Sequence, residues 1–300
     1  HYYPSPKFYK HIFWRTVSIF MAGWLIHAYP FIQQDWDWSS FRYMGVLQRI
    51  AIAYGISALL IIRYDFKQLL PILTGILVFY WGLLWMGGTG DPYGLEGNLV
   101  RKVDIWLFGE NHLYGGFGMP FDPEGLLSTL PSIGTVLIGY LMGGMLHTTK
   151  NYTDCAKRMA IFGAGLVVVG WIWGFIFPIN KAIWTSSYVL FTGGIAALIL
   201  SGLTYLIDIQ MWNKPFWVFE VFGTNSIFLF VSSGFWTKTI LAVKMNFDGK
   251  SVSTYSYLYK TIFVPMAGDL NGSLLFALIH VLGFWLVLYW MYIKRIQIKL

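Results

Sequence analysis

Eight apolar runs, each roughly 20 residues long, set the terms on which this chain can fold: 11–30, 43–62, 69–87, 126–146, 158–178, 184–206, 218–240 and 272–293. A helix of about 20 residues crosses about 30 Å of hydrocarbon. Lipid offers no partner to backbone N–H and C=O groups, so each run must satisfy its own, and a single segment does that as a helix. The expected fold class is all-α, a polytopic integral membrane protein with about eight transmembrane helices. No soluble domain, low-complexity tract or linker interrupts the runs, so residues 1–300 are expected to form one transmembrane domain.

Charge agrees with that expectation. Only 12% of the residues are charged and 56% are hydrophobic, against about 25% charged in soluble domains. The net charge of +7 would suggest a nucleic-acid partner in a soluble protein. Here the basic residues lie in short connections between apolar runs, which is a topology signal, and no nucleic acid is expected. Lys7, Lys10, Arg15, Arg63, Lys67, Lys150, Lys157, Arg158, Lys214, Lys294, Arg295 and Lys299 mark one side, expected to be cytoplasmic together with both termini and Cys155. The segments "QQDWDW", 88–125 and 241–271 belong to the other side. Cys155 is the one cysteine, which excludes an intrachain disulfide, and the six histidines lack ligand spacing, so no metal is expected. The opening "HYYPSPKFYKH" has neither an initiator Met nor a signal-peptide pattern, and suggests a chain that starts partway.

Polar groups inside spans are costly, and they mark cavities or partners. Gln48 and Arg49 lie in "GVLQRIAIAYG", Asn225 in "FGTNSIFLF", His280 in "FALIHVLGF", and Asn180, Lys181, Ser186 and Ser187 in "PINKAIWTSSYVL". The fourth run opens "FDPEGLLSTLPSIG", and steps of three or four residues from Glu124 give Ser128, Ser132, Thr135, Gly139 and Gly143 on one helix face. Two explanations fit that stripe: a close-packed helix contact through small residues, or a hydroxyl-lined path to Asp122 and Glu124. Pro131 is expected to kink the helix. The acid pair itself also has two explanations. Asp122 as N-cap, Pro123 as first helical residue and Glu124 in the first turn describe an ordinary helix start. Alternatively the carboxylates face a substrate, with Arg49 neutralising Glu124. His112 in "GENHLYGG" is either a plain loop histidine or a substrate contact; His280 is a packing or a titrating group; Lys238 is expected to snorkel.

The motifs "GVLQRIAIAYG", "GENHLYGG", "FDPEGLLSTLPSIGTVLIG", "PINKAIWTSSYVL" and "PFWVFEVFGTNSI" occur in one order. In that order the chain resembles the heparan-α-glucosaminide N-acetyltransferase family from about Lys10 to its end. The resemblance implies a membrane acyltransferase that takes acetyl from cytosolic acetyl-CoA, as co-substrate, to the amine of a terminal glucosamine on the far side. It implies Asp122, Glu124 and Arg49 as catalytic residues, and His112, Asn180, Lys181, Trp184 and Ser187 as substrate-binding. Gln48, Ser128, Ser132 and Asn225 would lie toward acetyl-CoA. Partners implied are an amino sugar or glucosamine-terminated glycan and the lipid bilayer, with a homo-oligomer left open. The location implied is a bacterial inner membrane, or a lysosomal membrane in a eukaryote. The family's reactive histidine and its asparagine lie upstream of the matching region, and His1, His11 and His27 do not fit their motif, so the 300 residues are expected to be an incomplete enzyme. A transporter for amino sugars such as N-acetylglucosamine is the alternative, since kinked polar helices also suit alternating access. The "NGS" at 271–273 is a glycosylation sequon on the expected outer side.

Overall fold

The computed structural model describes residues 5–31, 37–149 and 151–298. The apolar runs become helices α1 (Pro6–Ala28), α2 (Val46–Arg63) and α3 (Phe66–Gly87), and a short α4 (Leu99–Phe108) follows outside the runs. Then come α5 (Thr129–Thr148), α6 (Tyr152–Trp173), α7 (Ser186–Thr204), α8 (Trp217–Thr224) and α9 (Ser226–Ala242). A hairpin of β1 (Lys244–Phe247) and β2 (Lys250–Ser253), then α10 (Thr254–Leu258) and α11 (Val264–Ile293), complete the described residues. Among the described residues, six helical segments are long and apolar enough to cross a membrane, or seven if the α8–α9 pair, bent by 68°, is one broken span. The chain is thus an all-α, multi-pass membrane protein, with fewer qualifying spans than the eight expected. The difference lies in α1, which carries Lys7, Lys10, His11, Arg15 and His27 within its length, and in the broken α8–α9 pair.

The described residues of His1–Trp24 and Asp37–Asn213 form one compact unit, and those of Leu25–Trp36 and Lys214–Leu300 another. In the first, Leu69, Leu73 and Leu77 of α3 pack with Ile133, Leu137 and Leu141 of α5, Met159 of α6 and Val189 of α7. Helices α6 and α7 meet through glycines: a Cβ on Gly163 would stand 2.9 Å from the Gly194 carbonyl, and one on Gly194 2.6 Å from that of Gly163. Close backbone approach of this kind is how helices associate in lipid. It falls on α6 and α7 and not on the stripe expected in the fourth run, because Gly139 and Gly143 face open space. Cys155 is wholly buried in the same core, so its thiol is no reporter of membrane side.

A smaller core places the functional region. Tyr80 and Leu84 of α3, Val100 of α4, Phe121, Phe177 and Ile183 bury one another completely or nearly so. The Tyr80 hydroxyl donates to the Ile183 carbonyl at 2.5 Å, fixing the connection ahead of α7 against α3. Helix α4 is held at three further points. Asn98 caps it by accepting from Arg101 N at 2.8 Å, Arg101 Nε donates to Pro120 O at 2.9 Å, and Lys102 Nζ donates to Gly87 O at 3.1 Å.

In the second unit, Asp248 and Gly249 both have positive φ, 49° and 73°. That is the geometry an Asp-Gly pair supplies to a two-residue hairpin turn. Helix α11 breaks at Gly268, with φ 74°. The sequon at 271–273 lies within α11, with Gly272 against the Phe263 backbone, and not in a loop. Lys238 does not snorkel: its ammonium donates to the carbonyls of Ile26, His27 and Tyr29 at 2.7, 3.0 and 2.9 Å.

Candidate functional site

The stretch "DPEG" is a β-turn and not a helix start. Gly125 N donates to Asp122 O at 3.1 Å, and the order Asp, Pro, Glu, Gly puts each residue where such a turn favours it. Asp122 Oδ1 also accepts from Glu124 N at 2.9 Å. Helix α5 begins only at Thr129. Pro131 therefore falls in its first turn, where a missing N–H costs nothing and no kink is required. Two hydroxyls of the expected stripe turn back onto backbone: Ser128 donates to Gly125 O at 3.1 Å and Ser132 to Thr129 O at 2.5 Å, while the third, Thr135, accepts from Trp184 Nε1 at 3.3 Å. Ser128 and Ser132 are buried and do not line an open path.

Both carboxylates of the turn are engaged by Arg42, which the sequence did not single out. Arg42 Nε and Nη2 each donate to Asp122 at 2.7 Å, and Nη2 also reaches Glu124 Oε2 at 2.7 Å. Its guanidinium stacks 4.9 Å from the Tyr114 ring. Burial opposes the Arg42 charge, but Asp122 and Glu124 outweigh it and hold the guanidinium more firmly protonated than usual. Asp122 is fully buried, while the Glu124 side chain keeps 19% exposure. The neutralising partner of Glu124 is therefore Arg42, and not Arg49 as the sequence suggested.

Arg49 enters from the first turn of α2 and does something else. Its Nη2 donates to Pro123 O and to Ser128 Oγ. Its guanidinium lies 4.7 Å over the Trp184 ring. Its Nε and Nη1 are buried and have no protein partner. Trp184 holds its ring there from a left-handed backbone, φ 50°, a conformation that a bulky residue keeps only when its surroundings over-determine it. Here Thr185 does so: its Oγ1 donates to Pro178 O at 2.8 Å and accepts from Asn180 N at 3.0 Å, and its N–H donates to Asn180 O at 3.1 Å.

The structure thus brings Arg49, Asp122, Glu124, Ser128 and Trp184 together, and adds Arg42 and Tyr114. The other expected residues stand apart from that contact set. His112 donates to Phe41 O at 2.7 Å and stacks on Tyr43, which braces the segment carrying Arg42. Asn180 Oδ1 accepts from Ala182 N at 2.8 Å, and Ser187 donates to Phe177 O at 2.5 Å, so both shape the turn before α7. Lys181 is exposed on that turn. Gln48 is buried with neither amide atom partnered, and it packs where Gly23 of α1 leaves no room for a Cβ. Asn225 belongs to the second unit, where its amide bonds both Ile296 O and Ile298 N at 2.9 Å. His280 donates to Phe276 O at 2.7 Å within α11.

A second residue that the sequence did not single out is Asp104 of α4. Its carboxyl is wholly buried, Oδ1 accepts from Leu126 N at 2.9 Å, and Oδ2 has no protein partner. Burial, with a smaller contribution from the Asp122 charge, raises its pKa to about 7. Among the described residues no group of three or more His, Cys, Asp or Glu side chains is arranged to hold a metal.

No protein-family model matches the chain. Two curated proteins do: a heparan-alpha-glucosaminide N-acetyltransferase of Mus musculus is 28% identical over 73% of this chain. That of Homo sapiens is 26% identical over the same share. The chain spans 41% of the length of each of these relatives. With the motif order and the multi-pass helical fold, these matches relate the chain to the heparan-alpha-glucosaminide N-acetyltransferases.

Proposed function

We propose that this chain carries the acceptor side of a transmembrane N-acetyltransferase. Acetyl would pass from cytosolic acetyl-CoA to the amine of a glucosamine-type sugar on the opposite side of the membrane. The observation that supports this best is the pairing of unused donors with an acid. Arg49 keeps buried Nε and Nη1 without a protein partner, beside a turn whose Glu124 is partly exposed. An amine attacking a thioester must first be neutral, which asks for a base. The carbonyl oxygen then becomes an oxyanion, which asks for preorganised donors. Glu124 would accept the ammonium proton. The nitrogen lone pair forms the N–C bond, and Arg49 Nε–H and Nη1–H hold the oxyanion. Collapse of the tetrahedral centre breaks C–S, the thiolate takes the proton that Glu124 held, and the freed Glu124 carboxylate accepts the second proton from the amide nitrogen and passes it to water. If a relay residue delivers the acetyl, the same tetrahedral centre forms with a different leaving group.

Each neighbour has a separate task in that scheme. Asp122, bidentate with Arg42, fixes the turn, and Trp184 covers the face of the Arg49 guanidinium. Exposed Lys181, three residues before Trp184, would meet the glycan. The side facing the sugar would be the extracytoplasmic face of a bacterial inner membrane, or the lumen of a lysosome. Glu124→Gln in the full-length protein should lower acetyl transfer at least ~100-fold and leave acetyl-CoA binding intact. Near-normal transfer would reduce Glu124 to a partner of Arg42.

Transport of an amino sugar has one observation in its favour, the 68° break between α8 and α9. Broken helices coordinate cargo in transporters through exposed backbone ends. The residue at this break, Asn225, instead spends its amide on the 296–298 tail. Uptake of labelled N-acetylglucosamine by proteoliposomes without acetyl-CoA would favour transport over transfer.

A further inference from the structure

The DPEG turn is gripped from outside by a carboxyl that belongs to no motif. Asp104 comes from α4, which Asn98, Arg101 and Lys102 pin to its surroundings and which Val100 anchors in the core. Its Oδ1 takes the Leu126 N–H at 2.9 Å. Its Oδ2 stands so close over Gly125 that a Cβ there would lie 1.7 Å away. The contact is thus built from both sides: a residue without a side chain on the turn, and an acid on a fixed helix filling that space. Glu124 and Gly125 are adjacent, so the height of the Asp104 carboxyl over Gly125 sets the position of Glu124.

We propose that Asp104 is a positioning residue of this site, holding the Gly125–Leu126 backbone so that Glu124 and Arg49 stand at the spacing that acyl transfer needs. This rests on the acetyltransferase function proposed above. The working state of Asp104 follows from what faces it: Asp122 on the turn, Arg49 on α2 and Tyr80 on α3. Arg42 already bonds both Asp122 and Glu124. A third negative charge would be buried with one hydrogen bond, and it would draw on the field of Arg49. With its pKa raised to about 7, Asp104 is the neutral acid below that pH. Ionisation above that pH strengthens the Leu126 bond but sets a further negative charge beside Asp122 and Arg49, which weakens the oxyanion donors, so acetyl transfer declines.

The test uses the full-length protein in detergent with acetyl-CoA and glucosamine. The wild type should show a falling limb of kcat/KM centred near pH 7. Asp104→Asn, which keeps the acceptor for Leu126 N and is neutral throughout, should retain transfer at pH 6 within about threefold and lose that limb. Asp104→Leu should lose about 100-fold at all pH values through misplacement of the turn; if it does not fold, Gly125→Ala takes its place. An infrared titration supplies a readout independent of turnover. A protonated carboxyl C=O band should vanish as pH rises through about 7, and should be missing in Asp104→Asn. Absence of transfer by the wild type would remove the proposed function and leave the infrared result to decide the state of Asp104. Two results overturn the proposal: no such band lost in the Asn variant, or a folded Asn variant as inactive as the Leu variant.

Discussion

Arg49 in the first unit and Lys238 in the second are both cations set into apolar helices, and their hydrogen bonding is opposite. Lys238 spends its ammonium on three backbone carbonyls, at 2.7 to 3.0 Å. Arg49 gives Nη2 to the DPEG segment and keeps Nε and Nη1 unpaired. The contrast extends beyond these two. Among the described residues, the buried polar side-chain atoms without a protein partner belong to Arg15, Thr16, Gln48, Arg49, Ser57 and Asp104, all in the first unit. Leaving a buried donor unmatched costs about 1–3 kcal/mol, so a fold keeps such groups where something else matches them. A half-buried cation that is satisfied, such as Lys238, holds structure together; a buried one left unsatisfied is prepared to hold a ligand.

Three substitutions bear on that contrast. Arg49→Gln should have the largest effect, lowering acetyl transfer by about 10²–10³-fold in protein that remains folded and retains the Arg42 ion pairs. Unimpaired transfer would break the contrast outright. Lys238→Met should act on folding instead. It strands three carbonyls and should destabilise the protein by about 1–3 kcal/mol, seen as a lower midpoint of thermal unfolding, with turnover per folded molecule unchanged. A loss of turnover without a loss of stability would move Lys238 into the functional group. Trp184→Leu should have the smallest effect. It removes the ring under Arg49, worth about 1–2 kcal/mol at a desolvated site, and should lower transfer roughly tenfold while unfolding stays close to wild type.

The fold was largely legible from the sequence because membrane helices announce themselves by length and apolarity alone. Their boundaries near the site were not. Leu126, Leu127 and Leu130 extend the apolar pattern through a segment that is turned until Thr129, so the carboxylates read as a helix start. Arg49 was visible as a charge inside a span. Arg42 and Asp104 were not, for different reasons. Arg42 looks like a loop residue just ahead of the second apolar run, on a side whose long loops mix acids and bases, so its charge did not stand out. Asp104 sits in "LVRKVDIWLF", where Arg, Lys and Asp together look like the wet face of a short helix. Only its contact with Gly125, across 21 residues of chain, shows that it is dry. The β1–β2 hairpin had a plain signal in the Asp-Gly pair at 248–249, masked by the length of the segment around it.

The Arg42 ion pairs also have a consequence for how the protein is made. Arg42 and Asp122 are 80 residues apart, and α2, α3 and α4 lie between them. At ~5–20 residues per second of synthesis, the arginine waits roughly 4–16 s for its carboxylate. During that interval α2 and α3 are already being handed to the lipid. Its guanidinium at the mouth of α2 meanwhile favours the hydrated headgroup layer for that end. The ion pair therefore closes late in biogenesis, and the nascent chain must keep the entrance of α2 at the membrane surface until the turn arrives.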